Sequence, residues 1–161
     1  MNPLFIYFTQ GNFDSFRLYI EKENVNVNES ICETGLTPLY VASLCGKFEI
    51  CKFLIEKGAD INKAVTDKGK TPLWISILSN QFETCKLLLE KGANVNQART
   101  DDGEAPLHTA SREGRLKISK LLIENGANVN QENFNGDTPL CIASKRGHID
   151  MCELLNKYSE L

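Results

Sequence analysis

The chain has 161 residues and a mass of 18.0 kDa, room for one domain or a short array of repeats, which argues against a multidomain enzyme. An apolar fraction of 42% beside 24% charged residues is that of a folded chain with a core and argues against intrinsic disorder. Lys+Arg 18 against Asp+Glu 21 leaves a net charge of -3, without the dense positive field that nucleic acid or anionic lipid requires, so neither is expected as a partner.

Six cysteines with no CxxC pair fit neither a metal ribbon nor a disulfide scaffold, and free thiols in a reducing compartment are expected. Met1, Asn2 and Pro3 lead into the apolar Leu4 to Phe8 with no basic residue before Arg17, which is not a signal peptide. No run approaches the roughly 18 apolar residues of a membrane span. The expected location is the cytoplasm, with the nucleus as the alternative.

The chain is metered. Prolines fall at 3, 38, 72, 106 and 139, in steps of 35, 34, 34 and 33 residues. Gly35, Gly69, Gly103 and Gly136 stand three residues before a proline; Gly11, Gly46, Gly114 and Gly147 stand eight after; Gly58, Gly92 and Gly126 stand twenty after. These account for all eleven glycines. Glycine supplies positive φ and proline suits the first turn of a helix, so both punctuate one recurring unit.

In chain order, the spacing predicts an N-terminal helical unit over 1–31, repeats over 32–65, 66–99 and 100–132, and a truncated repeat over 133–161. Thr37-Pro38, Thr71-Pro72 and Thr138-Pro139 read as N-cap hydroxyls before a first-position proline, and a short helix follows each. It stops at the glycine eight residues on, or at Asn80, which also tolerates the left-handed conformation. A second, amphipathic helix follows: Ile50, Cys51, Leu54 and Ile55 share its apolar side, with Glu49, Lys52 and Glu56 opposite. Gly58, Gly92 or Gly126 ends it. A polar extended stretch then leads to the next proline.

Gly-x-Thr-Pro-Leu, an inter-helix glycine, and Leu-Leu-x-x-x-Gly-Ala-Asn-Val-Asn together resemble the ankyrin repeat family over nearly the whole chain. The resemblance implies an all-α, ankyrin-type α-solenoid of stacked helix-turn-helix repeats with β-hairpin-like finger loops. It also implies a non-catalytic role in binding a partner protein on a concave surface made of fingers and first helices. A monomer is expected.

The chain departs from the family pattern in places. The fourth residue of Thr-Pro-Leu-His is Tyr40, Trp74, His108 and Cys141 in turn, and the one histidine follows Ala105 where threonine is usual. Losing that hydroxyl should weaken the third repeat by roughly 0.5–2 kcal/mol. The ends read as caps: the small position Ala42, Ser76, Ala110 and Ala143 becomes Tyr7 in the first unit, and the apolar series Ile20, Ile55, Leu89 and Ile123 becomes Asn156 in the last.

Catalysis finds no support in spacing: His108 and His148 stand in different slots with no nucleophile beside them, and no phosphate loop, metal-ligand cluster or cofactor motif occurs. Cys51, Cys85 and Cys152 share one slot on the apolar side of the second helix and read as small core filler, while Cys32 and Cys45 fall outside that slot and are expected to react. The recurring pairs Lys52/Glu56, Lys86/Glu90 and Lys120/Glu124 read as a solvated face.

Candidate contacts follow from the resemblance, one repeat at a time. The first finger and helix offer Leu36, Tyr40, Leu44 and Cys45; the second, Asp67, Lys68, Lys70, Trp74 and Leu78. The third offers Asp101, Asp102, Glu104, Arg112 and Glu113; the last, Phe134, Asn135, Lys145 and Arg146. The first two sets are largely apolar and the last two charged, which suits an amphipathic partner. As the alternative, the family's Asn in Leu-x7-Asn register can be hydroxylated, and Asn62, Asn96 and Asn130 keep that spacing. The competing reading has these asparagines bonding their local backbone to order the turn.

Overall fold

A computed structural model describes residues 3–10, 12–65 and 68–159. The expected stop at Gly11 and the candidate contact Asp67 lie outside them. Among the described residues there are ten helices and no strand. The chain divides into two compact units, Met1–Thr66 with Lys70–Ala93, and Asp67–Gly69 with Asn94–Leu161.

The first unit holds α1 (Pro3–Gln10), α2 (Phe13–Lys22), α3 (Pro38–Leu44), α4 (Phe48–Glu56), α5 (Pro72–Leu78) and α6 (Phe82–Glu90). First helices pack on first helices, α1 on α3 and α3 on α5, and second helices pack on second helices, α2 on α4 and α4 on α6. Phe8, Phe16, Leu39, Leu54, Leu73, Ile77 and Leu88 fill the space between the two layers. The second unit repeats the scheme with α7 (Pro106–Arg112), α8 (Leu116–Glu124), α9 (Pro139–Arg146) and α10 (Ile149–Ser159): α7 packs on α9 and α8 on α10, around Leu107, Ile118, Leu122, Met151 and Leu155.

Short helices of 7 to 11 residues cannot hold themselves in water, so their ends carry the local specification. Thr37, Thr71 and Thr138 sit in extended backbone and each hydroxyl accepts the N–H three residues on, of Tyr40, Trp74 and Cys141. Asn80 takes φ 57° where its sister repeats use glycine, and the chain turns as it does at Gly46. Each finger closes with a backbone bond across its base, as from Ile31 N–H to Leu36 O, Val65 to Lys70 and Arg99 to Glu104. The hairpin likeness extends to that one bridge.

The asparagines depart from local turn bonding. The local Asx turn is made two residues earlier: Asp60, Asn94 and Asn128 accept the N–H of Asn62, Asn96 and Asn130. The side-chain amides of Asn28 and Asn62 instead donate to Gly58 O and Gly92 O in the first unit, and that of Asn96 to Gly126 O in the second, each thirty residues on. Asn28 Oδ1 and Asn96 Oδ1 also accept the N–H of Asp60 and Asn128.

Cys51 and Cys85 are fully buried, and burial pushes their thiols up to about 12 and about 11. Cys152, in the same slot of the last repeat, is half-buried. Cys45 is exposed at the end of α3, and Cys32 is half-buried in its finger with Sγ 2.9 Å from Thr34 Oγ1, a contact that lowers its pKa. Cys141, which its place in the Thr-Pro-Leu-His slot did not mark as accessible, is exposed; the hydroxyl of Thr138 donates to its Sγ and lowers its pKa. Of the three recurring Lys/Glu pairs, Lys86 and Glu90 alone approach, at 4.0 Å, among the described residues.

Ala105 caps α7 without a side-chain bond, but His108 partly replaces the missing threonine. Its Nδ1 accepts the Ala105 N–H at 3.1 Å, which leaves the proton on Nε2, 3.1 Å from Asp137 O. The ring ties the start of α7 to the following finger and is fully buried. Burial lowers its pKa against the opposing pull of these bonds and of Glu104. Two outcomes follow. Ala105→Thr should add about 0.5–2 kcal/mol to unfolding free energy in urea, and an unchanged or lower value would show that the hydroxyl is not what the repeat lacks. Because the folded His108 pKa lies below the unfolded value of about 6.5, the unfolded chain binds more protons in between. Its contribution is therefore present above about pH 6.5 and is lost as pH falls through that window. A urea midpoint for the second unit that stays flat from pH 7.5 to 5 would contradict it.

Candidate functional site

Each first helix ends about two turns beyond its finger, and two slots eight residues apart, at finger base and helix end, recur from repeat to repeat. In the first unit the slots hold Leu36 with Leu44, and Lys70 with Leu78. In the second they hold Glu104 with Arg112, and Asp137 with Lys145. The helix-end slot is thus leucine throughout the first unit and a cation in the second, while the finger slot holds Leu36 and Lys70 in the first and a carboxylate in the second.

In the first unit Tyr40, Val65, Trp74 and Ile75 form a buried cluster on which Leu36 and Leu78 lie half-buried. Tyr40 and Trp74 are packing residues with only an edge at the surface. Lys70 lies with Nζ 5.1 Å from the Trp74 ring centroid, a cation held over an aromatic face. Leu44 is 41% exposed and has no such cover, and Cys45 beside it is exposed. Leu78 differs from Leu44, because the Trp74 cluster takes part of its surface.

The second unit opens at Lys68, exposed, whose carbonyl accepts the Thr100 N–H at 3.2 Å. Arg99 gathers the acidic finger: its guanidinium reaches Asp101 at 2.8 Å and Asp102 at 2.9 Å. The Arg99 bond holds the Asp101 carboxyl below its usual range. Asp102 is spent inward, its Oδ1 accepting the Glu104 N–H and its carbonyl accepting the Phe134 N–H. Glu104 has a side chain only 3% exposed, and both of its oxygens accept from the Arg112 guanidinium, a bidentate pair that raises the arginine pKa. Its candidate role as a direct contact therefore passes to Arg112, which keeps 28% exposure.

Glu113 is half-buried at the end of α7, where its N–H bonds Thr109 O. Phe134 is 71% exposed, lying against Gly103, where a Cβ would come within 2.5 Å of its ring. That glycine, at φ 74°, serves both the turn and the ring's approach. Asn135 is exposed, Lys145 Nζ donates to Asp137 Oδ1 at 2.6 Å, and Arg146 is exposed next to it. Arg99 and the two ion pairs were not singled out from sequence, although opposite charges recurring in the same two slots of consecutive repeats were a readable signal.

Among the described residues no group of three His, Cys, Asp or Glu is arranged to hold a metal, and no helix is long and apolar enough to cross a membrane. The family model for ankyrin repeats in three copies matches residues 4–99, 63–133 and 95–160. Among curated proteins, a palmitoyltransferase, akr1, of Schizosaccharomyces pombe is 41% identical over 59 residues, 37% of this chain. The matched segment is 9% of that relative's length. Metered prolines, threonine-capped short helices, amide bridges between successive repeats and a family match running nearly end to end all say the same thing: the chain belongs to the ankyrin repeat family.

Proposed function

We propose that this chain is a non-catalytic module that binds a partner protein along the face carrying its finger loops and first helices. Ankyrin repeats are protein-interaction modules, and the finer assignment rests on one observation. The paired slots at finger base and helix end change from Leu36/Leu44 to Glu104/Arg112 while the helices beneath keep one packing scheme. A purely structural array has no need of that contrast, whereas a surface that selects a partner does. On this reading the parts are the capping unit 1–31, repeats 32–65, 66–99 and 100–132, and the short repeat 133–161. The working state is a monomer in the cytoplasm or nucleus, with no cofactor. The chain spans a small part of the akr1 palmitoyltransferase, so a place as the regulatory segment of a larger protein belongs to the same proposal.

A second reading, hydroxylation by an asparagine hydroxylase, is favoured at one position. The amides of Asn62 and Asn96 are held by glycine carbonyls, whereas Asn130 is exposed and bonded through its backbone N–H to Asn128. Intact mass of chain coexpressed with such an enzyme should show a 16 Da addition mapping to Asn130 first. Addition at Asn96 alone, or none, rejects it.

Leu44→Asp tests the main reading, because this leucine is exposed without belonging to the core. Unfolding free energy should move by no more than about 0.5 kcal/mol. Capture of an authentic partner, identified with the wild-type chain, should fall by about tenfold or more. A stable variant that captures that partner undiminished sinks the proposal.

A further inference from the structure

In the second unit, a cavity of about 170 Å³ opens between the last finger and the ends of α7 and α9, lined by Glu104, Arg112, Asn133, Asp137, Lys145 and Arg146 among others. Most of its acceptors are already committed. Both Glu104 oxygens accept from Arg112, Asp137 Oδ1 accepts from Lys145, and Asn133 Oδ1 accepts the N–H groups of Asn135 and Asp137 at 2.9 and 3.0 Å. Its donors are not. A guanidinium carries five N–H groups and an ammonium three, so Arg112 and Lys145 keep protons after their pairs are made. The Asn133 amide nitrogen is a further donor, and Arg146 makes no ion pair among the described residues. Three cations face two carboxylates there.

Such a lining is matched by a ligand that only accepts. A buried carboxylate that fixes Arg112 also removes the rotamer entropy the arginine would otherwise lose on binding, so Glu104 is a positioning residue for that guanidinium. We infer that this pocket takes an acidic side chain, Asp or Glu, presented by the partner polypeptide. The inference rests on the docking reading above and gives it a chemistry at one place. A carboxylate pairs with the guanidinium of Arg112 or Arg146 as it pairs with any guanidinium, and Lys145 and Asn133 add donors from the same lining.

The test is a titration of the full chain, followed by backbone amide shifts, with the blocked peptide acetyl-Leu-Glu-Leu-amide, its Gln counterpart, and inorganic phosphate. The Glu peptide should give saturable shifts over 133–146, and the Gln peptide should bind there about tenfold more weakly, the worth of one charge-assisted pair. Arg146→Gln, at an exposed site that leaves the Glu104–Arg112 pair intact, should weaken the Glu peptide by a similar factor. Arg112→Gln strands a buried carboxylate and is read only if its circular dichroism is that of the wild type. Equal response to Glu and Gln, no shifts in 133–146, or tighter binding of phosphate than of the Glu peptide overturns the inference. If leucine-dependent shifts then persist around Leu36 and Leu44 with the Gln peptide, the docking face stands and only the carboxylate assignment falls.

Discussion

The structure depends on a side-chain amide that reaches out of its own repeat. Asn28, Asn62 and Asn96 each donate to the carbonyl of the glycine that ends a second helix thirty residues later. Helix termini leave carbonyls without intrahelical partners, and a left-handed glycine exposes one of them at a fixed place. The asparagine satisfies it, and in two cases takes a backbone N–H in return. The pairing of amide and carbonyl thereby becomes a gauge that sets one repeat against the next within each unit. The separation of thirty residues between amide and carbonyl is the same in all three bonds, and a residue more or less in the helices would carry the two groups out of reach.

With register held at the base of each finger, the finger's far end is free to vary. The slots eight residues apart carry three leucines and Lys70 in the first unit and two ion pairs in the second, on the same helix geometry. The two chemistries stabilise differently. Leu36 and Leu78 bury apolar area on the Tyr40–Trp74 cluster, while Glu104 depends wholly on Arg112, since a buried carboxylate without a partner is strongly destabilising. One pair of positions thus serves as hydrophobic cover in one unit and as an arginine-orienting device in the other.

The Ala105 repeat illustrates how a lost local signal is compensated over distance. A threonine cap would satisfy an amide within the helix; His108 satisfies the Ala105 N–H from one side and holds Asp137 O from the other, so the helix start and the next finger become one construction. The exchange introduces a titratable ring into the core, so the bonding of this helix start depends on a proton. Lys145 on Asp137 then anchors the same finger from the opposite end of the neighbouring helix.

Repeat length, the helix starts and stops among the described residues and the left-handed turn at Asn80 were legible in the sequence, because proline, threonine and glycine act through their own backbone and nearest neighbours. Even the apolar-to-charged change of the candidate face could be read, since it needs only the slot of each residue. What a side chain does with its slot depended on the packed neighbours. Leu44 and Leu78 are equivalent by position, yet a tryptophan cluster covers one and not the other. Glu104 reads as an acidic finger residue until Arg112 draws it inward, and Asn62 reads as a local turn former until Gly92 is brought beside it. Local backbone preference travels with the residue, whereas burial and hydrogen-bond partnership belong to groups remote in the chain. The first was therefore determined by the sequence alone and the second only by the tertiary structure.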